Sequence, residues 1–154
     1  MCFGGMFFRG GMISADGMFV YGTLREGGSN HAWLRRTDPE GLTRAWAAGR
    51  LFHLPAGYPA MVPGTEPELP PPGPGWVRGD FVGYEDEADL DSALADLDPL
   101  EGVEEGLFTR EVLPVLLEGG HRYQAWVYVF HVERLPRLGR EAVELPDGDW
   151  APYL

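Results

Sequence analysis

Among the residues that could do chemistry, Glu101 has the setting a proton-transfer group needs. It stands in Leu97-Asp98-Pro99-Leu100-Glu101-Gly102, directly after a segment patterned as a helix. That places it near the negative end of a helix dipole, in the company of Asp96, Asp98, Glu104 and Glu105. Both effects disfavour the ionised carboxylate and raise its pKa. A carboxyl group moved towards neutrality suits a general acid or base. An ordinary exposed acid in an acidic loop is the other reading of the same residues.

A second segment has a different chemical use. Phe19-Val20-Tyr21-Gly22-Thr23-Leu24-Arg25 is a short apolar strand that breaks at a glycine. Glycine at a strand end lets the backbone come close to a partner, so Gly22, Thr23 and Leu24 can present N–H groups to a carboxylate or an oxyanion. An ordinary turn, with Tyr21 in the core, fits equally well. Nucleophilic chemistry has less support. The only serines are Ser14, Ser29 and Ser92, with no Gly-x-Ser-x-Gly elbow, and Cys2 is the lone cysteine. Neither a phosphate-cradling loop nor a dinucleotide fingerprint is present. His31, His53, His121 and His131 lack the spacing of metal ligands, so no metal and no cofactor are expected.

The elements that must position these residues follow from local pattern. Residues 18–23 read as a buried strand, because the apolar run does not alternate. A short helix is expected over 30–36, with Asn30 as its N-cap. Residues 44–54 suggest a strand bent or bulged at Gly49. The stretch 55–75 holds eight prolines, from Pro55 to Pro74, and is expected to be a long, stiff surface loop. Another strand spans 76–84. The clearest helix runs from Asp86 to Asp98, with Leu90, Leu94 and Leu97 on one face and Pro99 ending it. Strands at 110–117 and 123–132 flank Glu118-Gly119-Gly120, a hairpin signal. Five or six mostly antiparallel strands and one good helix imply an α+β domain with a strongly curved sheet.

Composition narrows the field further. The 154 residues fit one domain, and 44% apolar residues are enough for a core. A flexible N-terminal extension is expected over 1–17, glycine-rich and without the basic start of a signal peptide, with the domain over 18–154. A formal charge of −12 repels phosphate backbones, so nucleic acid is not an expected partner. An anion can bind only where backbone N–H groups or an isolated arginine make a local exception. No apolar run reaches transmembrane length, and one cysteine allows no internal disulfide, which suits a cytoplasmic location. Oligomeric state is not legible.

Several of these pieces, in order, resemble the γ-glutamylcyclotransferase-like (AIG2-like) family. They are Val20-Tyr21-Gly22-Thr23-Leu24-Arg25, then Gly49-Arg50-Leu51-Phe52 with Gly57-Tyr58-Pro59-Ala60, then Gly79-Asp80-Phe81-Val82. Leu97 to Gly102, Phe108-Thr109-Arg110, Ala125-Trp126-Val127-Tyr128 and Gly148-Asp149-Trp150 follow. The resemblance covers about residues 18–154 and implies a small mixed, barrel-like sheet with few flanking helices. It also implies release of 5-oxoproline from a small γ-glutamyl amino acid or γ-glutamyl amine. Carried onto this chain, Glu101 would be the catalytic acid/base, and Tyr21, Gly22, Thr23, Leu24 and Arg110 would bind substrate. Phe108 departs from the family's usual tyrosine, and Arg110 is as well suited to pairing with a neighbouring acid. A non-catalytic small-molecule-binding domain of the same fold is the alternative, and an interaction protein using the proline-rich loop is a third.

Overall fold

The computed structural model describes residues 15–99, 108–130, 133 and 142–154. Seven strands and two helices follow in the order β1 (Gly17–Val20), α1 (His31–Arg36), β2 (Gly41–His53), β3 (Pro59–Pro63), β4 (Trp76–Gly83), α2 (Glu87–Leu97), β5 (Thr109–Leu117), β6 (Arg122–Val129) and β7 (Val143–Glu144). A short 3-10 turn closes the chain at Ala151–Tyr153. Of the expected extension, residues 1–14 lie outside the described residues, and strand pairing already begins at Gly17.

Five strands close on themselves. β1 pairs β4 and β6, β6 pairs β5, and β2 pairs both β4 and β5, so the path returns to its start. All these pairings are antiparallel except β1–β6, which makes the sheet mixed. Closure depends on β2 pairing along both of its edges. Over 13 residues it lines β4 along Gly41–Ala48 and still meets β5 at Ala45–Ala47. A closed sheet leaves fewer unpaired edges exposed to other chains. Beyond Ala48 the same strand changes partners and carries β3 and β7 as a small outlying flap. Gly49 marks that change of partner, where a bend or bulge was expected.

β3 corrects the expectation of an irregular 55–75 loop. It is a five-residue strand, with prolines only at its two ends, Pro59 and Pro63. Proline cannot donate to a ladder and is tolerated at strand ends and edges, so composition alone misreads this segment.

Two cores result. Inside the barrel, Phe19, Val77, Phe81, Val115, Ala125, Val127 and Val129 pack against the small Ala45 and Ala47. The interior is so narrow that a Cβ on Gly79 would lie 2.6 Å from the Phe19 ring. Outside, Met18, Val20, Val82 and Tyr128 receive Leu34 of α1 and Leu90, Ala93, Leu94 and Leu97 of α2. Helix α2 starts where expected, with the Asp86 side chain accepting the Asp89 N–H at 2.8 Å. Each fully buried leucine on its inner face contributes about 1.5–3 kcal/mol relative to exposure.

Candidate functional site

One end of the barrel collects the loop after β1, the end of α2 and the start of β5. β1 and β6 run parallel and β5 runs opposite to β6, so the exits of β1 and β6 and the entry of β5 lie together. The loop of Tyr21–Arg25 leaves from this end. Helix α2 is tied to it as well, because Asp98 just past its last turn accepts three hydrogen bonds. Arg110 Nε reaches Asp98 Oδ1 at 3.0 Å, Arg110 Nη2 reaches Oδ2 at 3.2 Å, and the Tyr128 hydroxyl reaches Oδ1 at 2.8 Å. Arg110 and Tyr128 are themselves cross-strand partners. Both flanks of 100–107, Pro99 and Phe108, therefore start from the same barrel end. Glu101, with its expected raised pKa, lies outside the described residues.

The loop after β1 ties down its acceptors. The carbonyl of Gly22 accepts from Arg25 N–H at 3.0 Å and that of Thr23 from Asn30 N–H at 2.9 Å. The Leu24 carbonyl faces His31 Nδ1 at 2.9 Å. A carbonyl only accepts, so this ring nitrogen carries the hydrogen, and Nε2 is left to accept from Arg35 Nε at 3.0 Å. By contrast, the N–H groups of Gly22, Thr23 and Leu24 donate to no described residue. Gly22 and Leu24 are buried residues, and buried backbone donors are seldom left unmatched. Successive N–H groups with no acceptor among the described residues are the kind of donors that can bind a carboxylate or an oxyanion. The bend also needs a glycine for close approach, since a Cβ at Gly22 would lie 2.5 Å from Pro59 Cγ.

The Tyr21 and Arg110 side chains both make contacts within the protein. The Tyr21 hydroxyl donates to the Tyr128 carbonyl at 2.5 Å and accepts from Met61 N–H at 3.1 Å, so it bridges β6 and β3. Arg110 sits on the outer face of the sheet, forked onto Asp98 and stacked 4.5 Å over Trp126. Arg110 thus makes the ion pair that its acidic neighbourhood offered as one of its two expected roles. Phe108 is buried between Tyr58 and Phe130, at ring distances of 6.0 and 5.6 Å.

Sequence reasoning missed four residues that hold the loop. Asn30 makes no side-chain cap on α1; its amide instead donates to Thr23 Oγ1 at 3.0 Å. His31 secures Leu24 as described above. Arg25, only 6% exposed, reaches Asp149 Oδ1 at 2.9 Å. Asp149 also accepts from Ala151 N–H at 2.8 Å, so the C-terminal segment is fastened to the loop. The signal available was a charged residue immediately after an apolar strand and glycine turn. Among the described residues no group of His, Cys, Asp and Glu could hold a metal ion, and no helix is long and apolar enough to cross a membrane.

Comparison with known proteins agrees with this architecture. The family model for gamma-glutamyl cyclotransferase, AIG2-like, matches residues 18–152. A gamma-L-glutamyl-butirosin B gamma-glutamyl cyclotransferase from Niallia circulans is 30% identical over 149 residues, 93% of this chain and 80% of that protein. Among solved structures, YkqA from Bacillus subtilis superposes with a TM-score of 0.60 at 23% identity over 91% of this chain. The chain spans only 41% of YkqA's length. An AIG2-like protein from Mus musculus superposes with a TM-score of 0.54 at 23% identity, over 80% of this chain and 84% of that one. At these identities the structural likenesses speak for the fold alone.

Proposed function

This chain belongs to the AIG2-like gamma-glutamyl cyclotransferase family, and from that membership we propose that it releases 5-oxoproline from a small γ-glutamyl amino acid or γ-glutamyl amine. Cyclotransferase activity in general is supported by the family and by the 30% identical relative. The γ-glutamyl substrate and the residue roles are our reading. The observation that carries it is the row of N–H groups on Gly22, Thr23 and Leu24 that find no acceptor among the described residues. These lie at the barrel end from which the segment containing Glu101 departs and to which it returns.

The reaction asks little covalent chemistry of the protein. The substrate's α-amine attacks its own γ-carbonyl, a five-membered lactam forms, and the bond to the leaving amine breaks. Folding the glutamyl group into that pose converts much of the barrier into binding. The α-ammonium, with an ordinary pKa of about 8, must first lose a proton. Glu101 takes that proton as general base and returns it to the leaving amine as general acid. The N–H groups of Gly22–Leu24 hold the α-carboxylate or the oxyanion of the tetrahedral intermediate. Tyr21 contributes by fixing the loop's root, and Arg110 by fixing Asp98, three residues before Glu101.

The test is 5-oxoproline release from a panel of γ-glutamyl amino acids, γ-glutamyl amines and ε-(γ-glutamyl)lysine, beside Glu101→Gln. Release should occur for at least one member and fall by about 100-fold or more in the variant. Turnover that survives Glu101→Gln would remove the acid/base role. A folded wild type that binds 5-oxoproline yet releases it from nothing would leave a binding domain of the same fold.

A further inference from the structure

Among the described residues, one fully buried polar side-chain atom has no hydrogen-bond partner, and it is Thr109 Oγ1. Its position in the barrel can be read from the ladder. β5 and β6 stay in register without a break from Thr109–Val129 to Leu116–Arg122. Side chains alternate across a strand, so Thr109 points the same way as Leu113, Val115 and Leu117, which face the barrel interior. Val129, its partner, faces inward too. On the other side of β6, the parallel register pairs Phe19 with Val127. Val129 and Thr109 therefore form one inward-facing pair across β6 and β5, and Tyr21, just past the end of β1, belongs to the same interior core.

That pair lies at the candidate site. On the β1 side the chain continues directly into the three unmatched N–H groups of Gly22, Thr23 and Leu24. On the β5 side lies an unmatched hydroxyl, closed off from water. A buried hydroxyl without a partner costs stability, and such a cost persists where something absent from the free protein supplies the partner. Both groups lie at the same barrel end, the N–H groups just past β1 and the hydroxyl at the start of β5. The N–H groups can only donate, whereas the hydroxyl can donate or accept, so the pair suits a zwitterionic head with a carboxylate and an amine.

We propose that Thr109 is a substrate-binding residue whose hydroxyl pairs with the α-amino acid head of the γ-glutamyl group, opposite the N–H groups of residues 22–24. This rests on the reading that the site holds a γ-glutamyl group, and it adds a side chain that the loop and Glu101 do not supply.

The test exploits two effects of opposite sign. Thr109→Val keeps the branched shape and deletes the hydroxyl. It should leave the free protein as stable as the wild type or more so, by thermal unfolding. It should also weaken 5-oxoproline binding by calorimetry, and lower kcat/KM for the best panel substrate, by roughly tenfold. Thr109→Ser should recover most of both. A Thr109→Val protein that is less stable but binds and turns over normally would make the hydroxyl structural and overturn the proposal. One that is more stable and equally active would overturn it too. If the wild type itself neither binds 5-oxoproline nor releases it, the γ-glutamyl reading fails first and takes this assignment with it.

Discussion

Gly22 illustrates how one missing side chain can serve a site. Pro59, at the start of β3, lies where a Cβ on residue 22 would stand, with Cγ at 2.5 Å and Cδ at 2.9 Å. A proline ring has no flexible end to swing away, so Gly22→Ala must push the loop or β3 aside. The neighbouring N–H groups would be displaced with it. We expect Gly22→Ala to weaken 5-oxoproline binding by tenfold or more, measured by calorimetry. Unchanged affinity would mean that the loop's donors do not form the seat. Tyr21 works differently from its neighbours, since both roles of its hydroxyl are used on the backbone of β6 and β3.

Asp98 joins three elements, and its energetics belong to that scale. It ends α2, binds Arg110 of β5 and accepts the hydroxyl of Tyr128 on β6. Arg110 and Asp98 keep about a quarter of their side-chain surface exposed, 27% and 22%, so the pair is neither a screened surface bridge nor a dry one. Asp98→Asn removes the negative charge and one strong acceptor, while Arg110 stays stacked on Trp126. We expect a loss of about 1–3 kcal/mol in urea unfolding. A double-mutant cycle with Arg110→Gln should give a total well short of additive. Strict additivity would mean that the pair contributes through separate contacts. The helix itself was legible from its Leu90, Leu94 and Leu97 spacing and its Asp86 start. The partner of Arg110 was not, because a surplus of acids offers many equivalent choices in one dimension.

At the scale of the whole molecule, the ion pair between Arg25 and Asp149 joins residues 124 positions apart. Burial pushes the Asp149 carboxyl up, but the Ala151 N–H, the Arg25 hydrogen bond and the charges of Arg25 and Arg78 outweigh it. The net effect holds it below the ordinary aspartate value. A carboxyl group whose pKa is lower in the folded than in the unfolded state stabilises fully above the unfolded value, about 3.9. That contribution disappears as pH falls through the lowered folded value. Thermal unfolding of the wild type and Asp149→Asn should therefore differ at neutral pH and converge below about pH 4. A difference that stays constant into acid would show that Asp149 acts by shape alone. The same pair gives Arg25, the one buried charged residue among the described residues, its own counter-charge in a strongly acidic chain.

By itself the sequence determined what local chemistry can encode: the α2 helix through its leucine spacing and cap, the β5–β6 hairpin through its glycines, and the glycine break after β1. Order of motifs along the chain added the family and, with it, the barrel-like sheet. Only the tertiary structure decided how that sheet closes, because closure is set by β2 pairing on both edges at Ala45–Ala47 with strands remote in sequence. It also decided that Pro59–Pro63 forms a strand, since proline's missing donor matters only once the neighbouring partner is known. Hydrogen-bond satisfaction is likewise a property of the folded molecule. Which donors of Gly22–Leu24 stay free, which acid takes Arg110, and that the Thr109 hydroxyl is left unmatched are fixed by neighbours remote in sequence.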